Sequence, residues 1–178
     1  LLFVGYYHLW AQEDKNTALR YFERAAEKLN NNVEVLKAKS SIYEVIGAWD
    51  KYIDVNEKGI EISPLDLACI TNLCYGYFYM QRYDEALELN TRATNMAPDA
   101  AWNHLIRGFI LISADKANDE SRKSFEKVDK DHSWYLWPFY FQNLFEGKYQ
   151  DLLNLLEQYP EGITHKMMRA PQSLLAAH

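Results

Sequence analysis

The chain has 178 residues, 48% of them hydrophobic, which is enough for a sizeable buried core. Its 7 Gly and 5 Pro argue against a loop-rich or disordered protein. The net charge of −6 is moderate and no Lys/Arg block occurs, so neither nucleic acid nor an anionic membrane surface is favoured as a partner.

A period of 34 residues runs through the chain. Residues 33–66 align with the next 34 residues, so that Tyr43 falls on Tyr77 and Pro64 on Pro98. A fixed period of this length is typical of a helical solenoid, in which no single repeat can bury its own apolar face. We therefore expect an all-α chain whose repeats each contain two amphipathic helices, A and B, joined by a short turn.

The predicted repeats follow one another along the whole chain. Their predicted bounds are 1–32, 33–66, 67–100, 101–132 and 133–162, and 163–178 is predicted to form a terminal helix or a partial repeat. The chain opens and closes inside apolar helical patterns without a capping signal, whereas natural solenoids end in capping helices. We therefore expect a single repeat domain that is a segment of a longer protein.

The third repeat carries the clearest helix signals. Helix A is predicted from about Leu65 to Gln81, and helix B from about Tyr83 to Met96. Ser63, which is followed by a proline and then by an acid, is the predicted N-cap of helix A.

The repeats resemble those of the tetratricopeptide repeat (TPR) family. The best match lies in the third repeat, at Ile70, Leu73, Cys74, Tyr77, Gln81, Arg82, Tyr83, Ala86, Asn90, Ala93 and Pro98. The resemblance covers nearly the whole chain, as about five degenerate repeats. It implies a right-handed α-α superhelix of antiparallel helix pairs, in which the A helices line the concave face.

In the TPR family, ligand contacts come from set positions on the A helices. On this chain those positions are polar in the second repeat, at Glu34, Lys37, Ser41, Glu44 and Val45, and aromatic from the third repeat onward. The resemblance thus implies a peptide-binding groove lined by Tyr75, Phe78, Tyr79, Trp102, Leu105, Phe109, Trp137, Phe141 and Phe145. An alternative stays open, because a neighbouring helix, a missing segment or a twin subunit could simply bury these rings.

No constellation that supports chemistry is predicted. The five histidines do not pair with one another or with Cys at metal-ligand spacing, and no phosphate-binding loop or Gly-x-Ser-x-Gly motif occurs. Acid pairs such as Asp84-Glu85 lie in first helical turns, where the helix dipole and solvation explain them. We therefore expect no catalytic residue, no metal site and no cofactor.

Cys69 and Cys74 are the two cysteines of the chain. Five residues apart on a helix, they point to different faces, so we expect two free thiols. Free thiols favour a reducing compartment, and no run reaches the ~18 apolar residues of a membrane span. The expected location is therefore the cytoplasm, with no membrane partner.

These observations predict a non-enzymatic protein–protein interaction module, a scaffold or adaptor that binds a partner peptide or helix in its aromatic concave groove. The loose repeats look like those of bacterial multidomain signalling proteins. The alternative is a structural or oligomerisation module, whose aromatic face packs against a twin subunit in a homodimer or against a missing domain of the same protein.

Overall fold

A computed structural model describes residues 1–29, 31–114, 119–129 and 136–158. Within these ranges the chain is all-α, without a strand, as predicted. The ten helices are α1 (Leu2–Trp10), α2 (Lys15–Lys28), α3 (Val33–Val45), α4 (Trp49–Ile62), α5 (Leu67–Tyr79), α6 (Tyr83–Met96), α7 (Ala101–Ser113), α8 (Asp119–Glu126), α9 (Leu136–Phe145) and α10 (Tyr149–Gln158). Among these ten, no helix has the length and apolar character needed to cross a bilayer.

Consecutive helices pack as pairs, and the chain divides into two compact bodies. The N-terminal body, Leu1–Met96, contains the pairs α1/α2, α3/α4 and α5/α6. Successive pairs in this body are joined by packing of α2 on α3 and of α4 on α5. The C-terminal body begins at Ala97 and contains the pairs α7/α8 and α9/α10.

In two pairs, a glycine on the first helix faces a phenylalanine on the second. A Cβ atom on Gly5 would lie 2.3 Å from Cε1 of Phe22, and one on Gly108 would lie 2.1 Å from Cε1 of Phe125. Both phenylalanines are fully buried. Each ring therefore occupies the space that any larger residue on α1 or α7 would need.

The α3/α4 pair meets the same steric requirement with different residues. Ser40 stands in place of the glycine and Asn56 in place of the phenylalanine, and both are buried. The Asn56 amide donates to Ser40 Oγ at 2.7 Å and to the carbonyl oxygen of Tyr52 at 2.7 Å. A smaller side chain on α4 thus leaves room for a hydroxyl on α3, and the hydrogen bonds offset the cost of burying both polar groups.

The start of α5 differs from the prediction. Ser63 is the C-cap of α4, and Asp66 is the N-cap of α5, accepting a hydrogen bond from the Cys69 amide at 2.9 Å. The prediction of Ser63 as the N-cap is therefore wrong. The reason is that Ser63 accepts a backbone hydrogen bond from the Asp66 amide, a turn that delays the helix and leaves the carboxylate facing its first free N–H groups. Helix α6 begins and ends where it was predicted.

Candidate functional site

Three half-buried rings from α4 and α5 contact one another in the N-terminal body. Trp49 stacks on Tyr79, with ring centroids 4.1 Å apart and planes 12° apart. Tyr75 meets both rings edge-on, at 6.1 Å from Trp49 and 4.7 Å from Tyr79. We call Trp49, Tyr75 and Tyr79 the aromatic patch. Stacked and edge-on ring contacts of this kind add to the stability that burial provides.

Local structure accounts for the patch. Tyr75 and Tyr79 are four residues apart on α5, so they lie on one face of that helix. Gly47 adopts a left-handed φ of +69° and turns the chain out of α3, so that Trp49 becomes the first residue of α4. The three rings are therefore supplied by two adjacent helix pairs.

The aromatic patch is stabilised by a hydrogen bond between two of its hydroxyl groups and by contacts with buried rings. The Tyr75 hydroxyl donates to the Tyr79 hydroxyl at 3.0 Å. Burial raises the pKa of Tyr75, and the neighbouring Tyr79 raises it further, so the phenol stays neutral. Behind the patch, Tyr52 is fully buried with its ring 5.4 Å from Trp49, and Phe78 is 6% exposed with its ring 5.5 Å from Tyr79. The rings are thus fixed in place by contacts within the N-terminal body.

One carboxylate lies beside the aromatic patch. Glu44, on the last turn of α3, is close enough to Tyr52 and Tyr75 for its charge to raise the pKa of both phenols. Solvent reaches the Glu44 side chain, but the surrounding protein removes part of the hydration of the carboxyl. This desolvation raises the pKa of Glu44. Among the described residues, the carboxylate has neither a hydrogen bond nor a salt bridge. It is a negative charge without a counter-ion.

The lysines of α3 are engaged elsewhere. Lys37 lies 2.6 Å from Glu34 Oε1 and 3.4 Å from Asp66 Oδ2. Lys39 lies over the ring of Tyr43, at 5.8 Å from the centroid. Neither ammonium neutralises the carboxylate at the end of the helix.

The predicted groove residues of the C-terminal body differ in how far they are exposed to solvent. Trp102 is 41% exposed, whereas Leu105 is completely buried. Phe109 is half-buried, with its ring 5.4 Å from the buried Phe125. The remaining three predicted residues belong to α9, but their side chains lie outside the described residues: Trp137, Phe141 and Phe145.

The structure thus brings Tyr75 and Tyr79 together at a surface, and assigns Phe78 and Leu105 to the core. The sequence-based site omitted Trp49, which stacks on Tyr79. Glu44 was among the polar contact positions predicted for the second repeat, but it was not included in the predicted groove. Two signals could have found them: a tryptophan shortly after a glycine turn, and an acid at a repeat position that elsewhere is apolar.

The described residues hold no group of three or more His, Cys, Asp or Glu that could bind a metal ion. Cys69 and Cys74 are free and buried, and burial raises the pKa of each thiol to about 12. Both therefore stay protonated at neutral pH, which suits packing rather than nucleophilic or redox chemistry.

Comparison with known proteins identifies the fold. No family model matches the chain, and no curated protein is similar to it in sequence. The crystal structure of TTC0263, a thermophilic TPR protein of Thermus thermophilus, superimposes with a TM-score of 0.78 at 21% identity, covering 98% of this chain and 97% of that one. A MamA structure from Desulfovibrio magneticus RS-1 matches with a TM-score of 0.70 at 16% identity, covering 94% and 92%.

At these identities the likeness is one of fold. The chain has the fold of TPR proteins, a solenoid of antiparallel helix pairs. The fold class predicted from the 34-residue period is confirmed.

Proposed function

We propose that the chain is a non-enzymatic protein-interaction module that binds a partner peptide through the aromatic patch of its N-terminal body. The observation that carries the proposal is a set of three rings that remain partly exposed although they are fixed by one another. Tyr and Trp are enriched among the residues that contribute most to protein interfaces. A TPR-like solenoid is the kind of scaffold that supports such a surface.

The mechanism is preorganised docking. The hydrogen bond between Tyr75 and Tyr79 and the stack on Trp49 fix the rings before binding. Most of the ordering entropy is then lost by the partner segment, and an apolar side chain of that segment covers the solvent-accessible part of the aromatic patch. The proposal extends to the setting predicted from the sequence, the cytoplasmic repeat region of a bacterial multidomain signalling protein.

Selection from a random dodecapeptide display library, with the full chain as bait, tests this function. Selected peptides are measured by fluorescence anisotropy against wild type, Tyr79→Ala and Tyr149→Ala. Tyr149 is an exposed tyrosine on α10 and serves as the matched control. We expect about tenfold or greater loss of affinity for Tyr79→Ala alone. Recovery of no peptide, or equal binding to both variants, would refute the proposal.

A second candidate function is structural, and the surface of α1 favours it. Phe3, Tyr7 and Trp10 lie along one stripe of this helix and are 83%, 51% and 61% exposed. A stripe of this kind favours self-association or packing against another domain. Light scattering over a wide concentration range distinguishes the cases. A dimer that Trp10→Ser converts to a monomer would support the structural function, and a concentration-independent monomer would oppose it.

A further inference from the structure

Glu44 departs from the pattern of its repeat position. In each of the first four helix pairs, a small residue on the first helix faces the second helix, and the position that Glu44 occupies lies four residues after it. In chain order, the small residues are Gly5, Ser40, Cys74 and Gly108. The residues four positions later are, in the same order, Leu9, Glu44, Phe78 and Ile112. The three apolar members of this set are 3%, 6% and 8% exposed. One repeat in four therefore carries an acid where the others bury a hydrophobic side chain.

The presence of an acid at this position does not stabilise the fold. The Glu44 carboxylate has no hydrogen-bonding or ionic partner among the described residues, and burial raises its pKa, so the surrounding protein disfavours the charge. Departures from local consistency that destabilise the fold concentrate at functional sites. Glu44 holds on α3 the repeat position that Phe78 holds on α5, where the Phe78 ring lies 6.3 Å from Tyr75 and 5.5 Å from Tyr79. The charge of Glu44 also raises the pKa of Tyr75, which agrees with a position near the aromatic patch. This position points to a shared ligand.

A carboxylate beside aromatic rings, as in Glu44 and the aromatic patch, is suited to binding a cation. Aromatic faces attract ammonium and guanidinium groups, and a carboxylate with no counter-ion provides the full charge for pairing. The lysines of α3 do not offset the charge of Glu44, because Lys37 pairs with Glu34 and Asp66 and Lys39 lies over the Tyr43 ring. The site therefore favours a basic ligand over an acidic one.

We propose that Glu44 and the aromatic patch together bind a basic side chain, arginine or lysine, of the partner peptide. The aliphatic stem of that side chain lies against the solvent-accessible part of the aromatic patch, and its cationic head pairs with the Glu44 carboxylate. This inference rests on the proposed function, since it names the chemistry of the segment that the aromatic patch receives.

Three matched pools of fluorescein-labelled decapeptides test the inference on the full chain. All pools carry Leu and Phe at two fixed positions, and the central residue is arginine, its neutral isostere citrulline, or glutamate. Each pool is titrated by anisotropy against wild type, Glu44→Gln and Glu88→Gln. Glu88 is an exposed acid on α6 and controls for the loss of one charge from the protein.

We expect the arginine pool to bind about tenfold more tightly than the citrulline pool, and the glutamate pool to bind worst. In Glu44→Gln the difference between arginine and citrulline should fall to within about twofold, while Glu88→Gln should keep it. Added salt should reduce the preference for arginine in wild type. This set of results would support the cation site.

Several other results would overturn the cation site. Equal binding of the arginine and citrulline pools, or a preference for arginine that survives in Glu44→Gln, overturns the cation site and leaves the peptide-binding function standing. Tightest binding of the glutamate pool does the same. Absence of binding by every pool overturns both. A Glu44→Gln protein that has lost its cooperative melt would show instead that the residue is structural, which also overturns the inference.

Discussion

Two carboxyls on neighbouring helices show how local surroundings set the behaviour of a side chain. At Asp66, burial disfavours the charge, but the hydrogen bond from the Cys69 amide and the nearby Lys37 outweigh it and lower the pKa. At Glu44, among the described residues, no hydrogen bond or cation offsets the effect of burial, so the pKa of the carboxyl is raised. The first carboxylate therefore stabilises the fold, whereas the second destabilises it.

The raised pKa of Glu44 predicts a stabilising substitution. A carboxyl whose folded pKa is raised contributes stability below its unfolded pKa, and that contribution is lost as the pH rises through the folded pKa. Glu44→Gln should therefore be more stable than wild type at pH 7, by no more than about 0.5 kcal/mol because solvent reaches the group. The two proteins should converge below about pH 4, where the carboxyl is protonated in both the folded and the unfolded state. Thermal melts at both pH values check this, and a Gln variant less stable at pH 7 would contradict it.

The lowered pKa of Asp66 predicts the opposite dependence on pH. A carboxyl with a lowered pKa stabilises the fold above its unfolded pKa, and the contribution is lost as the pH falls through the folded pKa. Asp66→Ala should lose about 1 kcal/mol of unfolding free energy at pH 7, since the α5 N-cap is removed. Asp66→Asn keeps a capping oxygen and should lose less. Urea unfolding measures both, and equal losses would show that the charge, not the cap, is what matters.

At the scale of the helix pair, glycine and phenylalanine act as one unit. Gly108→Ala would put a Cβ atom into the space of the fully buried Phe125 ring, so the ring or the helices must shift. We expect a loss of about 1–3 kcal/mol. The double variant Gly108→Ala/Phe125→Leu should lose less than the sum of the single changes, because the smaller side chain makes room for the methyl group. Urea unfolding of the four proteins measures the coupling, and strict additivity would contradict the steric account.

A second prediction concerns the close contact between α5 and α6. Ala86 is completely buried, and its carbonyl oxygen accepts a hydrogen bond from Cys74 Sγ at 3.2 Å. Ala86→Glu would introduce a buried, unpaired charge and should cost about 3 kcal/mol of unfolding free energy. Asn95→Glu, at an exposed position of the same helix, is the control. A thermal midpoint unchanged by Ala86→Glu would contradict the helix register described above.

At the scale of the whole molecule, the number of helix pairs in each body predicts its independence. A solenoid needs about three repeats to bury a continuous core. The N-terminal body has three helix pairs, with a core that includes Phe22, Ile42 and Tyr52. The described part of the C-terminal body has two. Residues 1–96 alone should therefore melt cooperatively by circular dichroism. A broad, non-cooperative transition of this fragment would contradict the prediction.

Several features could be predicted from the residues alone. The 34-residue period determined the helix-pair architecture, since equal spacing of Tyr43 and Tyr77 implies equal surroundings. The bounds of α6 followed from local signals. The start of α5 did not, because Ser63 and Asp66 are both good caps and the turn between them selects the second. Local propensity ranks such candidates without deciding between them.

The sequence by itself determined the fold class and put Tyr75 and Tyr79 on one face of a helix, because both depend on periodicity along the chain. Only the tertiary structure decided which aromatic residues remain exposed. Phe78 and Leu105 occupy contact positions in the repeat, yet neighbouring helices bury them, and Trp49 joins the aromatic patch from an adjacent pair. The same packing left Glu44 without a counter-ion among the residues that the structure describes. Exposure and charge pairing depend on residues that are distant in sequence, and a periodic pattern does not contain them.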